Sequence, residues 1–363
     1  MRNDHIVQLD GLRFFAVLMV MIAHWLQWQW SNPLLVNMPF VNGVTLFFVL
    51  SGFLISRILF VNRDECIAEK ISKFHLIKSF YLRRFFRIFP IYYLLIIALF
   101  FFNYKNTQEI FPWLVTYTSN WYQSINNVYL GEYSHFWSLA VEEQFYLFWP
   151  FCILFVKPSK SINLILIFIL IAIAVRVYLF VFVGKWMATA YSTFSCMDSL
   201  GIGALLAYIN LYKKDLFKKI ARISNLYILG GFYITGLFVQ DYFHLYWYKE
   251  IFGVFVFSLV AGIVIAISSQ NGFKSWAKYI LELKFISYSG RISYGMYVYH
   301  VFVATLFFYF MNRFDLSLNN KYLMFVFLYF ITFYISHLSW KYIESPINNL
   351  KKKVPYLPKR TSN

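Results

Sequence analysis

Arg13 and His24 stand eleven residues apart in one long apolar run of this chain, and Glu142 and Glu143 stand side by side in another. The second run reads His135-Phe136-Trp137-Ser138-Leu139-Ala140-Val141-Glu142-Glu143-Gln144-Phe145-Tyr146. An unprotonated imidazole can take a proton from a hydroxyl or carry an acyl group transiently. A carboxylate beside it can orient and polarise the ring. Arginine forks suit phosphates and planar anions. The apolar runs are long enough to cross a bilayer, where ionisable side chains are costly and usually have a task.

These residues need a membrane scaffold to position them. Of 363 residues, 60% are hydrophobic and only 13% are charged, too apolar a balance for a soluble protein of this length. Ten spans are expected: Gly11–Trp30, Val44–Asn62, Phe85–Phe102, Phe136–Val156, Ile162–Val183, Ser192–Tyr212, Asn225–Gln240, Ile251–Ser269, Ser293–Asn312 and Tyr322–Ile343. The fold class is therefore all-α and polytopic. The first run is not read as a cleaved signal peptide: it follows Asp4 and Asp10, carries Arg13 and His24, and lacks a small-residue cleavage site.

The formal charge of +17 invites a nucleic-acid reading, but its distribution argues for topology instead. With a cytoplasmic N-terminus, 27 of the 33 lysines and arginines fall on the inner side. Outer loops carry Lys105, Lys185, Lys249, Arg313 and Lys321, and Arg176 lies inside a span. This positive-inside pattern places both termini in the cytoplasm and directs basic groups to anionic membrane lipids, with no nucleic-acid partner. Residues 1–350 form the transmembrane domain and 351–363, opening with Lys351-Lys352-Lys353, a basic cytoplasmic tail. Cys66, Cys152 and Cys196 fall at different depths, so neither a disulfide framework nor a metal set is expected. There is no HExxH, P-loop or nucleotide-binding glycine fingerprint.

Helical rise converts sequence position into depth. His24 lies about 20 Å from the inner end of span one, and Glu142 and Glu143 lie about 9–11 Å below the outer face. Ser51, Arg176 and Asp198 fall near that level, so five spans offer polar groups to one layer. Arg176 with Asp198 fits an ion pair that holds the bundle together. A second cluster is expected at the inner face, where Arg83, Arg84 and Arg87 open span three. Arg84 and Arg87 are three apart and share a helix face. From Arg13 to His24 is about 16 Å of helix, comparable to an extended pantetheine arm. His300, about 10 Å from the inner end of span nine, and His337 do not share the level of His24 and are expected to be structural or donor-contacting. The aromatic outer stretch Asn103–His135, with Trp113, Tyr117, Trp121, Tyr122, Tyr129 and Tyr133, fits an interfacial belt or a substrate-contacting lid.

Together these residues resemble the acyltransferase-3 family of bacterial inner-membrane acyltransferases, which modify surface polysaccharides and other extracytoplasmic acceptors. The likeness runs from Leu9-Asp10-Gly11-Leu12-Arg13 through His24, the family's Arg-x10-His element, to Phe47-Phe48-Val49-Leu50-Ser51-Gly52-Phe53-Leu54-Ile55 and the Arg-x-x-Arg element Arg84/Arg87 before Pro90. It continues through Asn120-Trp121, Trp137-Ser138-Leu139 with Glu142-Glu143-Gln144-Phe145-Tyr146, Ile292-Ser293-Tyr294 to His300, and Tyr342-Ile343-Glu344-Ser345-Pro346. The resemblance implies a ten-helix acyltransferase core in the bacterial inner membrane that uses cytoplasmic acyl-CoA, usually acetyl-CoA. Some members carry an extracytoplasmic esterase-like domain. This chain ends soon after span ten, so the form without it is expected, with direct transfer or a separate periplasmic partner.

The expected reaction is O-acylation of a hydroxyl on an extracytoplasmic glycan or lipid-linked saccharide. His24 would act as general base or transient acyl carrier. Glu143 or Glu142 would orient the imidazole; neighbours on a helix point about 100° apart, and Glu143 is the choice. Arg13, Arg84, Arg87 and Arg83 would hold the donor. Ser51, Asn120, Trp121, Trp137 and Ser138 would contact substrate, although Ser51 beside Gly52 would equally serve close approach of spans one and two. The rival is a transporter or flippase of a lipid-linked sugar, which needs a polar cavity but not the aligned Arg13 and His24. A membrane scaffold is the third reading.

Overall fold

The computed structural model describes residues 5–28, 42–245, 247–315 and 320–356. The end of the first expected span, residues 29 and 30, and the tail from 357 onward lie outside the described residues. Ten helices of 16 residues or more carry the fold, and no strand occurs among the described residues. They are α1 (Val7–Ile22), α2 (Gly43–Ala68), α3 (Lys73–Phe101), α4 (Phe136–Phe155), α5 (Ser161–Tyr178), α6 (Thr193–Tyr212), α7 (Ile223–Phe243), α8 (Val254–Gln270), α9 (Ser293–Arg313) and α10 (Lys321–Ser339). Among the described residues, nine helical segments are long and apolar enough to cross a membrane. The other long helix, α4, has 20 residues, but Glu142-Glu143-Gln144 lowers its hydropathy. The chain is an all-α, polytopic membrane protein, as a bilayer demands of backbone that must satisfy its hydrogen bonds within each segment.

Small residues set the closest helix crossings. Gly52 on α2 meets the backbone of Leu200 on α6, and Gly203 on α6 meets Val49 and Phe53 on α2; a Cβ at either glycine would collide with main chain. Gly52 thus serves spans two and six, so the close approach of spans one and two offered for Ser51 beside Gly52 is not found at Gly52. That contact belongs to Gly43, which abuts Ala16 and Val20 of α1. Without a hydrophobic force between helices in lipid, such close backbone packing carries much of the association.

Two helices extend well beyond their apolar runs. Helix α2 continues through Arg57 and Arg63 to Ala68, and α3 begins at Lys73, so of the stretch 63–84 between the second and third expected spans only residues 69–72 lie outside a helix. Hydropathy locates the bilayer rather than helix ends, and Lys and Arg are good helix formers. Arg63 is buried, donating to the Ser161 hydroxyl at 2.8 Å and to the Ile153 carbonyl at 3.3 Å. Arg84 and Arg87 therefore sit well inside α3, not at its entrance. Helix α9 begins beside the middle of α3. The short helix Lys284–Arg291 precedes it and packs on α1, with Gly290 against Asp10. Tyr294, in the first turn of α9, already donates to the Ile88 carbonyl at 2.9 Å.

Candidate active site

A cavity opens between α1, α2, α3, α4 and α9. Arg13, Arg84 and Arg87 line it together with Ser51, Glu142, Glu143 and Tyr146, and with Ser138, Tyr294 and Tyr297. The shared face of Arg84 and Arg87 thus turns inward. Arg84 lies over the Phe80 ring at 5.7 Å and over the Tyr146 ring at 5.5 Å. Among the described residues neither Arg84 nor Arg87 forms an ion pair. Arg13 is paired: its guanidinium holds Asp10 at 2.6 Å, and His5 holds the other Asp10 oxygen at 2.6 Å.

Glu142 accepts a hydrogen bond from Ser51 at 2.7 Å, and Tyr146 donates to the Ser51 hydroxyl at 3.1 Å. Ser51 and the carboxylates do meet, at the level of the arginines. The depth count had placed Glu142 and Glu143 with His24, in a layer separate from the arginines. That separation disappears because α3 starts twelve residues before Phe85 and carries its arginines inward.

His24 occupies a π-helical turn, Ala23–Trp28, that continues α1. Such wide turns recur at functional sites. Its Nδ1 lies 2.7 Å from His300 Nε2, and the rings stack at 4.9 Å. His300 is fully buried, and its Nδ1 lies 2.6 Å from the Tyr297 carbonyl. The His135 ring stands edge-on to His300 at 5.1 Å. His300 is therefore an imidazole neighbour of His24, correcting the depth assigned to His300, while Glu142 is bonded by Ser51. The reason is where α9 starts, with Tyr294 already beside Ile88 in the middle of α3. The cavity and this histidine group adjoin at Tyr297, whose hydroxyl shares a 2.5 Å hydrogen bond with Ser138 and lies 2.8 Å from the His135 carbonyl.

Other expected site residues lie elsewhere. Arg83 faces away from the cavity and donates to the carbonyls of Lys351 and Val354, both at 2.8 Å, with Tyr356 stacked at 4.5 Å. Asn120 is fully buried and donates to the Tyr191 carbonyl at 3.1 Å and to Thr193 at 2.9 Å. Trp121 donates to Gln144 at 2.9 Å, and Gln144 donates to Asn120 at 2.9 Å. Trp137 stacks on Tyr191 at 4.5 Å. These side chains lock the segment 119–126 onto α4 and the start of α6; they do not line the cavity. Arg176 grips both Asp198 oxygens, at 2.8 and 2.7 Å, also apart from the cavity. His337 meets the Tyr288 hydroxyl at 2.6 Å. Tyr294 and Tyr297 are not assigned a site role from sequence, and His300 is expected only as structural or donor-contacting. A signal was present, since Ser293, Tyr297 and His300 recur at i, i+4 and i+7 and share a helix face. No cluster of three metal-ligating side chains occurs among the described residues, and all three cysteines are free.

An all-α membrane bundle whose cavity is lined by two arginines without an ion-pair partner among the described residues and by half-buried carboxylates, with a histidine pair adjoining it at Tyr297, defines a polytopic membrane protein with a polar site between its helices. The acyltransferase-3 profile, described as an acyltransferase domain, matches residues 6–341, and the chain belongs to that family. Over 98% of its length it is 29% identical to O-acetyltransferase OatA of Staphylococcus aureus strain MRSA252. It is 28% identical over 95% of its length to peptidoglycan O-acetyltransferase OatA of Listeria monocytogenes. The chain spans 59% and 56% of the length of these two relatives. No solved structure matches the chain significantly.

Proposed function

We propose that the protein is a membrane-embedded O-acyltransferase that moves an acyl group, acetyl in the first instance, from cytoplasmic acyl-CoA to a hydroxyl of an extracytoplasmic glycan or lipid-linked saccharide. The observation that carries this reading is the cavity itself. It joins Arg84 and Arg87, which have no ion-pair partner among the described residues, to Tyr297, one turn of α9 before the residue that holds His24. Arg84 and Arg87, with Arg13 beside them, bind the donor phosphates by charge-assisted hydrogen bonds. The thin pantetheine arm extends along the cavity, past Ser51 and Glu142, toward His24.

In the reaction the acceptor hydroxyl oxygen attacks the thioester carbonyl. His24 removes the hydroxyl proton, the C–O bond forms, the C–S bond breaks, and the sulfur leaves as CoA thiolate that takes up a proton. Acyl-CoA cannot expose its phosphates to hydrocarbon, so a protein-lined path must carry the arm. The excess of lysine and arginine in alternate loops supports cytoplasmic termini in the bacterial cytoplasmic membrane, with the arginines on the cytoplasmic side. The relative named for peptidoglycan makes a cell-surface glycan the first acceptor class to assay.

The test uses cells producing the wild type or His24→Ala at equal membrane levels. Envelope glycans are extracted and their base-labile acetyl esters measured by mass spectrometry. Wild-type cells should carry the esters, and His24→Ala cells should fall to the level of cells lacking the gene. Esters that persist undiminished with His24→Ala would overturn the reading.

A further inference from the structure

The partner of His24 bears on how such a base is prepared. We propose that His300 is a positioning residue for His24: a hydrogen-bond chain starting at the Tyr297 carbonyl fixes the His24 proton on Nδ1 and makes Nε2 its basic nitrogen. The inference rests on the general-base reading above only for its link to rate; the proton placement follows from geometry.

A carbonyl oxygen can only accept. His300 Nδ1, 2.6 Å from the Tyr297 carbonyl, must therefore carry a hydrogen. A neutral imidazole has one donor and one acceptor nitrogen, so His300 Nε2 is the acceptor. His24 Nδ1 lies 2.7 Å from that nitrogen and must donate to it. The His24 lone pair then belongs to Nε2. Both rings are held: His300 is fully buried, its plane lies within 19° of the His24 plane, and Trp25 and His135 flank it at 6.1 and 5.1 Å.

The arrangement does what a carboxylate does for a catalytic histidine in a Ser-His-Asp triad, with a different third member. When His24 Nε2 takes the hydroxyl proton, the ring becomes an imidazolium and its bond to His300 becomes charge-assisted. No proton leaves Nδ1. A neutral ring in the orienting position adds no negative charge to the buried group, whereas a carboxylate there would. Glu142, one of the two glutamates offered for this role, is hydrogen-bonded by Ser51 in the cavity.

Two variants and one spectrum test the proposal. His300→Leu removes the acceptor. His300→Gln can replace it, because the Gln carbonyl oxygen can accept from His24 while its amide can donate. In detergent-purified full-length protein with acetyl-CoA and a glycan fragment as acceptor, His300→Leu should lower kcat about 10²–10⁴-fold, the usual contribution of a general base. Its KM for acetyl-CoA should be unchanged, and His300→Gln should recover most of the loss. Solid-state nitrogen NMR of protein labelled at histidine, with the His24 signals assigned by difference from His24→Ala, should show the proton on Nδ1 in the wild type and not in His300→Leu.

A wild-type His24 protonated on Nε2 would overturn the proposal by itself, whatever the variants do. Unchanged kcat in His300→Leu would also overturn it. Equal losses in the Leu and Gln variants with the Nδ1 proton retained would leave His300 a packing residue and refute the positioning role. If His24→Ala alone keeps full activity, the general-base reading fails, while the spectrum still decides the hydrogen-bond chain.

Discussion

Two clusters of charge sit between the helices of this bundle, one buried and one lining a cavity, and they differ in how they are closed. In one, Arg176 binds both oxygens of Asp198 and also donates to the carbonyls of Ile251 and Ser195. Asp198 accepts in addition from the Ser199 amide at 2.8 Å. Both side chains are buried, between α5, α6 and the turn that leads into α8. In the other, Arg84 and Arg87 face a cavity beside Glu142 and Glu143, and neither arginine is in an ion pair among the described residues. A closed pair has its electrostatic needs met within the fold and offers a ligand little. An open set keeps its donors directed at space, and an anion entering that space supplies what the fold leaves out. Residue type alone does not separate structural charge from binding charge; geometric closure does.

The contrast can be broken most forcefully at the closed pair. Arg176→Met leaves Asp198 buried without its counter-ion and should cost about 3–5 kcal/mol of stability. Thermal unfolding in detergent reads this as a large drop in Tm. The double variant Arg176→Met/Asp198→Leu should recover much of the loss, because two matched apolar groups need no pairing. A single variant as stable as the wild type would mean that the pair is not what holds these helices.

The open set should respond the other way. Replacing both Arg84 and Arg87 with Gln should leave Tm close to wild type and raise the KM for acetyl-CoA. Each lost charged hydrogen bond is worth about 1.5–3 kcal/mol, roughly tenfold or more in affinity. An unchanged KM with insertion verified would reduce these arginines to topology markers. A smaller effect is expected at Ser51→Ala, which removes the donor to Glu142. Loss of one such bond should lower kcat/KM by about tenfold, with little change in Tm. A large drop in Tm with unaltered kinetics would move Ser51 and Glu142 into the closed class with Arg176 and Asp198.

The sequence carried the helix content, the spans and the identity of several cavity residues, because hydropathy and spacing along one helix are local properties. Arg84 and Arg87 could be placed on one face from their separation of three, and both line the cavity. Depth was legible only in part. Counting residues from the edge of each apolar run assumes that every helix starts in the same plane. Helix α3 starts at Lys73 and α9 follows a short helix packed on α1, so the count misplaces the arginines relative to Ser51 and the carboxylates, and His300 relative to His24. Asn120, Trp121 and Trp137 show a second limit. Side chains in aromatic, polar segments look equally suited to touching sugar or to bracing the fold. Only the bonds from Asn120 to Thr193 and from Trp121 to Gln144, and the stacking of Trp137 on Tyr191, decide which they do.

Arg83 gives the smallest and most discriminating expectation, since it is adjacent in sequence to Arg84 but belongs to neither cluster. A helix turns about 100° per residue, so neighbours cannot share a face. Arg84 enters the cavity, while Arg83 points to the C-terminal segment and bonds the carbonyls of Lys351 and Val354 beneath the Tyr356 ring. Arg83→Gln should therefore leave the KM for acetyl-CoA within about twofold of wild type, the range of a substitution away from the site. Its effect should show instead in limited proteolysis, as faster cleavage between Leu350 and Tyr356 once the two carbonyls lose their donor. A rise in KM matching that of Arg84→Gln, with no change in cleavage, would put Arg83 back among the donor ligands. It would also show that the bonds to Lys351 and Val354 give way when acyl-CoA binds.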